Sequence, residues 1–128
     1  MIWIVEDEAR LSRIVLEKFE RDGFPGVSWL ASAESLFARL AAGERPRVIL
    51  LDTSLPDGVE LDVLARVRAA APADRTAILT LRDSLERAPA EAFLAAGAQQ
   101  VIPKPFQPSP LAAAVRAFLG DVLPTRAR

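Results

Sequence analysis

Three acids in a row, Glu6, Asp7 and Glu8, an Asp52 at the end of an apolar run, a threonine at 80 and a lysine at 104 between two prolines are the side chains whose types could do chemistry together. Carboxylates gathered in one cleft repel one another unless a hard cation neutralises them, and oxygen ligands are what magnesium prefers. Such a cation, with a lysine ammonium and a threonine hydroxyl, would stabilise the charge on a phosphoryl group passing to a carboxylate nucleophile. Asp52, at the centre of the set, is the natural nucleophile. The sequence has no histidine and no cysteine, which excludes imidazole bases, histidine phosphoacceptors, thiolate metal sites and disulfides.

These residues work together only if the chain brings them to one place. Each follows or ends a short apolar run: Ile2 to Val5 precedes the acids, Val48 to Leu51 precedes Asp52, and Ile78 to Leu81 contains Thr80. Such unbroken runs are expected of parallel strands buried on both faces. Val27 to Leu30 and Gln100 to Ile102, the latter just before Lys104, are weaker strand candidates. Between the runs, Leu11, Ile14, Val15, Lys18 and Phe19 follow the helical period, as do Leu36, Phe37 and Leu40, then Leu61, Leu64 and Val67, and at the end Leu111, Val115, Phe118 and Leu119. Gly23, Gly43, Gly97 and Gly120 stand where helices should end, Ser32 or Ser35 is placed to cap the second helix, and Ser109-Pro110 reads as the start of the last. Pro89 cannot sit inside the helix suggested by Ser84 to Ala96, so that helix should start near Pro89 and be short. Five strands alternating with five helices imply a doubly wound parallel α/β sheet, which binds ligands outside the carboxyl ends of its strands.

The 128 residues and 51% hydrophobic content suit one compact domain, expected over residues 1–120, with 121–128 as a tail or linker stub. Sixteen basic against seventeen acidic residues give a net charge of -1, and nothing in that balance points to a polyanion or membrane partner. No apolar run approaches a membrane span and the opening strand has no basic leader, so the chain is expected in the cytoplasm.

Ile4-Val5-Glu6-Asp7-Glu8, Leu50-Leu51-Asp52-Thr53-Ser54-Leu55-Pro56-Asp57-Gly58, Ile78-Leu79-Thr80 and Lys104-Pro105-Phe106 together resemble the response-regulator receiver family of two-component signalling, over roughly residues 1 to 120. The resemblance implies a flavodoxin-like, CheY-like sheet of strand order 2-1-3-4-5 flanked by five helices. It implies that Asp52 accepts the phosphoryl group, that Asp7 and Asp52 ligate Mg2+ with the backbone carbonyl of Ser54, and that Glu6 helps through water. Thr80 and Lys104 would contact the phosphoryl oxygens, and the Lys104-Pro105 bond would be cis. A histidine kinase or phosphotransfer protein would donate the phosphate. The change would pass to a downstream effector or a homodimer through the fourth helix, fifth strand and fifth helix, with no membrane or direct nucleic-acid contact. Taken singly, each motif has a plainer explanation: acids at a helix start suit the helix dipole, Asp52-Thr53-Ser54 reads as an ordinary turn, and Thr80 as a β-branched strand residue. Four motifs in order, each at a strand end, outweigh those explanations.

Departures from the family pattern fall on the signalling side. Leu81 stands where receivers usually place a small residue and is expected to restrict access to the site; Val101 replaces the usual aromatic switch residue; and Glu60 falls where the loop often has a second glycine. They sustain a second reading, a phosphorylation-independent receiver acting as a protein interaction module. A third, a magnesium-dependent phosphohydrolase with an aspartyl nucleophile, would usually show a second acid where Ser54 stands. Trp3 and Trp29 read as core or partly exposed aromatics.

Overall fold

The computed structural model describes residues 1–57, 60–83 and 88–119. Strands and helices alternate throughout: β1 (Ile2–Val5), α1 (Ala9–Arg21), β2 (Val27–Leu30), α2 (Ala33–Ala41), β3 (Val48–Asp52), α3 (Glu60–Ala70), β4 (Ala77–Arg82), α4 (Ala90–Ala95), β5 (Gln100–Pro103) and α5 (Pro108–Ala117). All the strand pairs are parallel and the order is β2-β1-β3-β4-β5, as the resemblance implied.

The unbroken apolar runs have a physical cause in this arrangement. In a strand, alternate side chains face opposite ways, and here both faces are covered. One core packs Trp3, Val5, Ile49, Leu51 and Ile78 against Leu36, Leu64 and Phe93 of α2, α3 and α4. The other packs Ile2, Ile4, Leu50, Leu79 and Leu81 against Val15, Phe19, Leu111 and Val115 of α1 and α5. The sheet is therefore clamped from both sides.

Helix boundaries follow the sequence signals in most places. Ser32 caps α2, its Oγ accepting from the Ser35 N–H at 3.1 Å. α4 is six residues long with Pro89 as its N-cap, so the proline does set the start of a short helix. Gly97, just beyond α4, has φ +120°, and a Cβ there would lie 2.8 Å from the Arg68 side chain, so glycine is required twice over.

Three expectations need correction. The last helix starts at Pro108 with Gln107 as N-cap, not at Ser109-Pro110, because a proline already suits the first helical position and a second within the first turn removes only N–H groups that have no partner there. It ends at Ala117 with Phe118 as C-cap; Gly120 and the tail 121–128 lie outside the described residues, as does Gly58. On α1 the buried stripe is Ser12, Val15 and Phe19, and Ile14 points outward, 46% exposed, because it lies more than about one third of a turn off that stripe. Among the described residues no helix is long and apolar enough to cross a membrane.

Candidate functional site

The sheet itself delivers the acids. β1 ends at Val5, but the Glu6 N–H still pairs with the Leu30 carbonyl of β2 at 3.0 Å, so Glu6 is held in line with the sheet before α1 begins at Ala9. Asp52 is the last residue of β3, in register with Leu81 of β4. Lys104 follows β5, with its N–H bonded to the Arg82 carbonyl at 2.9 Å and a cis peptide bond to Pro105. Glu6, Asp52 and Lys104 thus meet at the carboxyl ends of β1, β3 and β5.

Asp52 is 1% exposed, and its two oxygens differ. Oδ1 accepts from the Ser54 N–H at 3.1 Å, the Ser54 hydroxyl at 2.9 Å and Lys104 Nζ at 3.0 Å. Oδ2 is buried and, among the described residues, has no hydrogen-bond donor while Glu6 is ionised. Glu6, 2% exposed, repeats the pattern: Oε2 accepts from the Glu8 N–H at 3.2 Å, whereas Oε1 has, among the described residues, only the Lys104 ammonium at 3.3 Å, without hydrogen-bond geometry. A buried acceptor left without a donor costs about 1–3 kcal/mol, more when charged. Carboxylate oxygens of Glu6, Asp7 and Asp52 lie within 4.8 Å of one another, and Asp7 is exposed. Three carboxylates gathered this closely, two of them buried and one open to solvent, are a donor set that fits a small hard cation.

The charges are tuned accordingly. Burial, then the hydrogen bond and like charge of Asp52, push the Glu6 carboxyl up to about 7 against the pull of Lys104. For Asp52 burial acts upward too, but hydrogen bonds involving Glu6, Lys104 and the Ser54 N–H outweigh it and hold the group below its ordinary value. Burial would lower Lys104, yet its hydrogen bond to Asp52 and the charges of Asp52 and Glu6 win and raise it. At neutral pH the central carboxyl is an anion and the lysine a cation, as a phosphoryl acceptor and its counter-charge require.

Other expected residues are placed less simply. Thr80 is fully buried, but β4 runs two residues beyond it, and its hydroxyl donates to the Gln100 carbonyl at 3.4 Å. No hydrogen bond joins Thr80 to Asp52 among the described residues. Leu81, 1% exposed, faces the α1 and α5 core; it is not among the side chains lining the cavity of about 380 Å³ beside Lys104, which are Glu8, Leu11, Asp83, Lys104, Pro105 and Phe106. Val101 is half-buried against the opposite core. Ser54 is exposed, and its backbone N–H and hydroxyl both serve Asp52.

Sequence reasoning missed three polar ties. The Ser54 hydroxyl is one. The second is Asp57, whose Oδ1 and Oδ2 accept from the Ala33 and Glu34 N–H groups, each at 3.0 Å, which joins the loop after Asp52 to the start of α2. The third is Trp29, whose indole N–H donates to the Glu6 carbonyl at 2.7 Å. The last two depend on which elements are neighbours, information that spacing along the chain does not carry; the first is a local turn contact two residues long.

A family model described as the response regulator receiver domain matches residues 2–116. Probable transcriptional regulatory protein TcrX of Mycobacterium tuberculosis is 31% identical over 118 residues, covering 92% of this chain and 49% of that protein. Response regulator MprA of a Mycobacterium species is 34% identical over 126 residues, covering 96% and 52%. The chain therefore spans about half the length of these curated relatives. Among solved structures, a CheY-like response regulator receiver domain protein from Methanospirillum hungatei superimposes with a TM-score of 0.80 at 25% identity, covering 94% of this chain and 93% of that one.

Proposed function

The chain belongs to the response-regulator receiver family of two-component signalling, and from that premise we propose that Asp52 is its phosphoacceptor. The observation that carries the proposal is the asymmetry of the Asp52 carboxylate, with three donors on Oδ1 and, among the described residues and with Glu6 ionised, none on the buried Oδ2. An oxygen whose partner atom is fixed and whose own lone pairs are unengaged is a positioned nucleophile. Attack of Oδ2 on the phosphorus of a phosphohistidine protonated at its other ring nitrogen forms the new O–P bond as the P–N bond breaks, and the electron pair stays on the nitrogen of the departing neutral imidazole. Lys104 exchanges carboxylate contacts for the phosphoryl oxygens. Thr80 reaches the same oxygens by giving up its long bond to Gln100.

Glu6, Asp7, Asp52 and the Ser54 carbonyl are the residues that would hold Mg2+, Glu6 through water. When bound, that ion supplies neutralisation of the negative charge that otherwise accumulates between carboxylates and phosphate. The domain is a phosphoacceptor rather than a classical enzyme, and receivers of this family work with kinases and output domains. Here the partners we propose are a cytoplasmic histidine kinase or phosphotransfer protein on the input side. On the output side we propose an effector or second copy meeting α4, β5 and α5, with residues 1–120 forming the signalling unit.

Incubation with Mg2+ and acetyl phosphate, followed by intact-mass measurement, should add one phosphoryl group to the native protein and none to Asp52→Asn or Asp52→Ala. An unlabelled native protein would count against the proposal and favour the second reading, an interaction module indifferent to phosphate. That reading draws on Leu81 in register with Asp52 and on Val101 in place of an aromatic. It predicts unchanged partner binding by Asp52→Ala.

A further inference from the structure

We propose that Trp29 is a positioning residue for the metal-binding acids, acting through the Glu6 carbonyl, an inference that rests on reading Glu6, Asp7 and Asp52 as the magnesium site.

The peptide units on either side of Glu6 are where β1 leaves the sheet and becomes the loop that carries the acids. The N–H is still held by the Leu30 carbonyl at 3.0 Å. The carbonyl has passed the end of the β1 ladder, and side chains take the place of strand neighbours. The Trp29 indole N–H donates to it at 2.7 Å, and the Ser12 hydroxyl of α1 lies at 3.5 Å. β2 therefore grips Glu6 on both sides, by the backbone of Leu30 and by the side chain of Trp29. That carbonyl belongs to the peptide bond joining Glu6 to Asp7. Turning its plane would swing the exposed Asp7 carboxylate relative to the buried pair, so fixing the carbonyl fixes the reach of the three acids, within 4.8 Å of one another.

The rest of the tryptophan's environment agrees. Trp29 is in register with Ile4 on the edge strand, and at 38% exposed it is a large hydrophobic that the core does not enclose, unlike Trp3, which is fully buried. A purely apolar role would be better filled by a side chain with no polar atom to satisfy. The short N–H to carbonyl bond, made across 23 positions of sequence, is what this residue type adds. Outer partners that orient ligands commonly govern metal affinity as strongly as some ligands do.

The test is Trp29→Phe, which keeps most of the ring and removes the donor. Calorimetric titration with Mg2+ should show about five- to tenfold weaker binding than in the native protein, while the melting temperature of the metal-free protein moves little. Native and variant affinities agreeing within about twofold would overturn the positioning role while leaving the magnesium site intact. Failure of the native protein to bind Mg2+ at all would overturn the reading beneath it. Should the variant not fold, the native protein suffices: in an NMR titration with Mg2+ the Trp29 indole N–H resonance should shift with the same midpoint as binding, and an unmoved resonance would refute the proposal.

Discussion

A glutamate pushed up to about 7 by burial and by the neighbouring Asp52 makes the metal-free protein pH-sensitive where most proteins are not. Its folded pKa lies above the ordinary 4.5, so the folded state holds the proton more tightly than the unfolded one. The stability it contributes is complete below the ordinary value and is lost as pH rises through about 7. Asp52 is shifted the other way, and its contribution disappears only in stronger acid, as pH falls below its ordinary 3.8. Without metal, urea midpoints should therefore fall as pH rises from about 4.5 to about 7 and level off above, and Glu6→Gln should flatten that slope; a native slope unchanged by the substitution would exclude Glu6 as its source. Lys104 is the counter-charge to both acids, 3.0 Å from Asp52 Oδ1 and 3.3 Å from Glu6 Oε1. Removing one member of a buried charged set leaves the others uncompensated, so Lys104→Ala should cost the metal-free protein about 3 kcal/mol. Added Mg2+ should restore part of that in the same urea titration, since the cation replaces the ammonium.

At the scale of elements, the site is assembled by strand ends, and the departures from the family pattern act through packing. Leu81 lies beside Asp52 in the β3 and β4 register but turns its side chain into the core under α1 and α5. Leu81→Ala should accordingly do two separable things. It opens a cavity in that core, costing about 3 kcal/mol in urea unfolding. If its bulk also crowds the phosphoryl site, the folded variant should take up or lose phosphate faster than the native protein in intact-mass time courses, and equal rates would leave Leu81 as a core residue only. Strands and the short α4 were legible in the sequence because unbroken apolar runs, helical periods and Pro89 are local signals, whereas the strand order came with the family resemblance. Asp52, Glu6 and Lys104 were legible because each ends or follows such a run. What spacing could not supply was lateral: that Asp57 caps α2, that Trp29 reaches Glu6, and that the Thr80 hydroxyl is engaged by Gln100. Ile14 misled because a helical period of apolar residues does not say which of two adjoining stripes faces the sheet, and the buried member proved to be Ser12.

Over the whole molecule, the two ends of the sheet are fastened differently. At the amino end of β4 and β5 the Arg68 guanidinium donates to the carbonyls of Ala71, Thr76 and Gly97 and to the Gln99 side chain, whose oxygen also accepts from the Ile78 N–H. Those bonds tie α3, β4 and the turn before β5 into one unit. Toward the carboxyl end the β4–β5 ladder continues to the 2.9 Å bond from the Lys104 N–H to the Arg82 carbonyl, while the Thr80 side chain is tied to β5 by a single 3.4 Å hydrogen bond to Gln100. The adjoining α4 has only six residues, buries Phe93 and leaves Leu94 48% exposed. A pull on the Thr80 hydroxyl from a phosphoryl group on Asp52 would therefore be absorbed on the β4, α4 and β5 side, not at the anchored end. It would leave β1 and β2, whose residues lie across the sheet, in place. Beryllofluoride with Mg2+, standing in for the phosphoryl group, should change amide hydrogen exchange in 80–83 and 88–103 and leave 2–5 and 27–30 unaltered, with Asp52→Asn unresponsive throughout. Val101 replaces the aromatic expected there, so the change should be read in exchange rates and not in the burial of a ring. Uniform exchange with and without the analogue, in a protein shown to bind it, would mean that this receiver takes up phosphate without passing the change across its sheet. Its signalling would then have to run through the surface of the site itself.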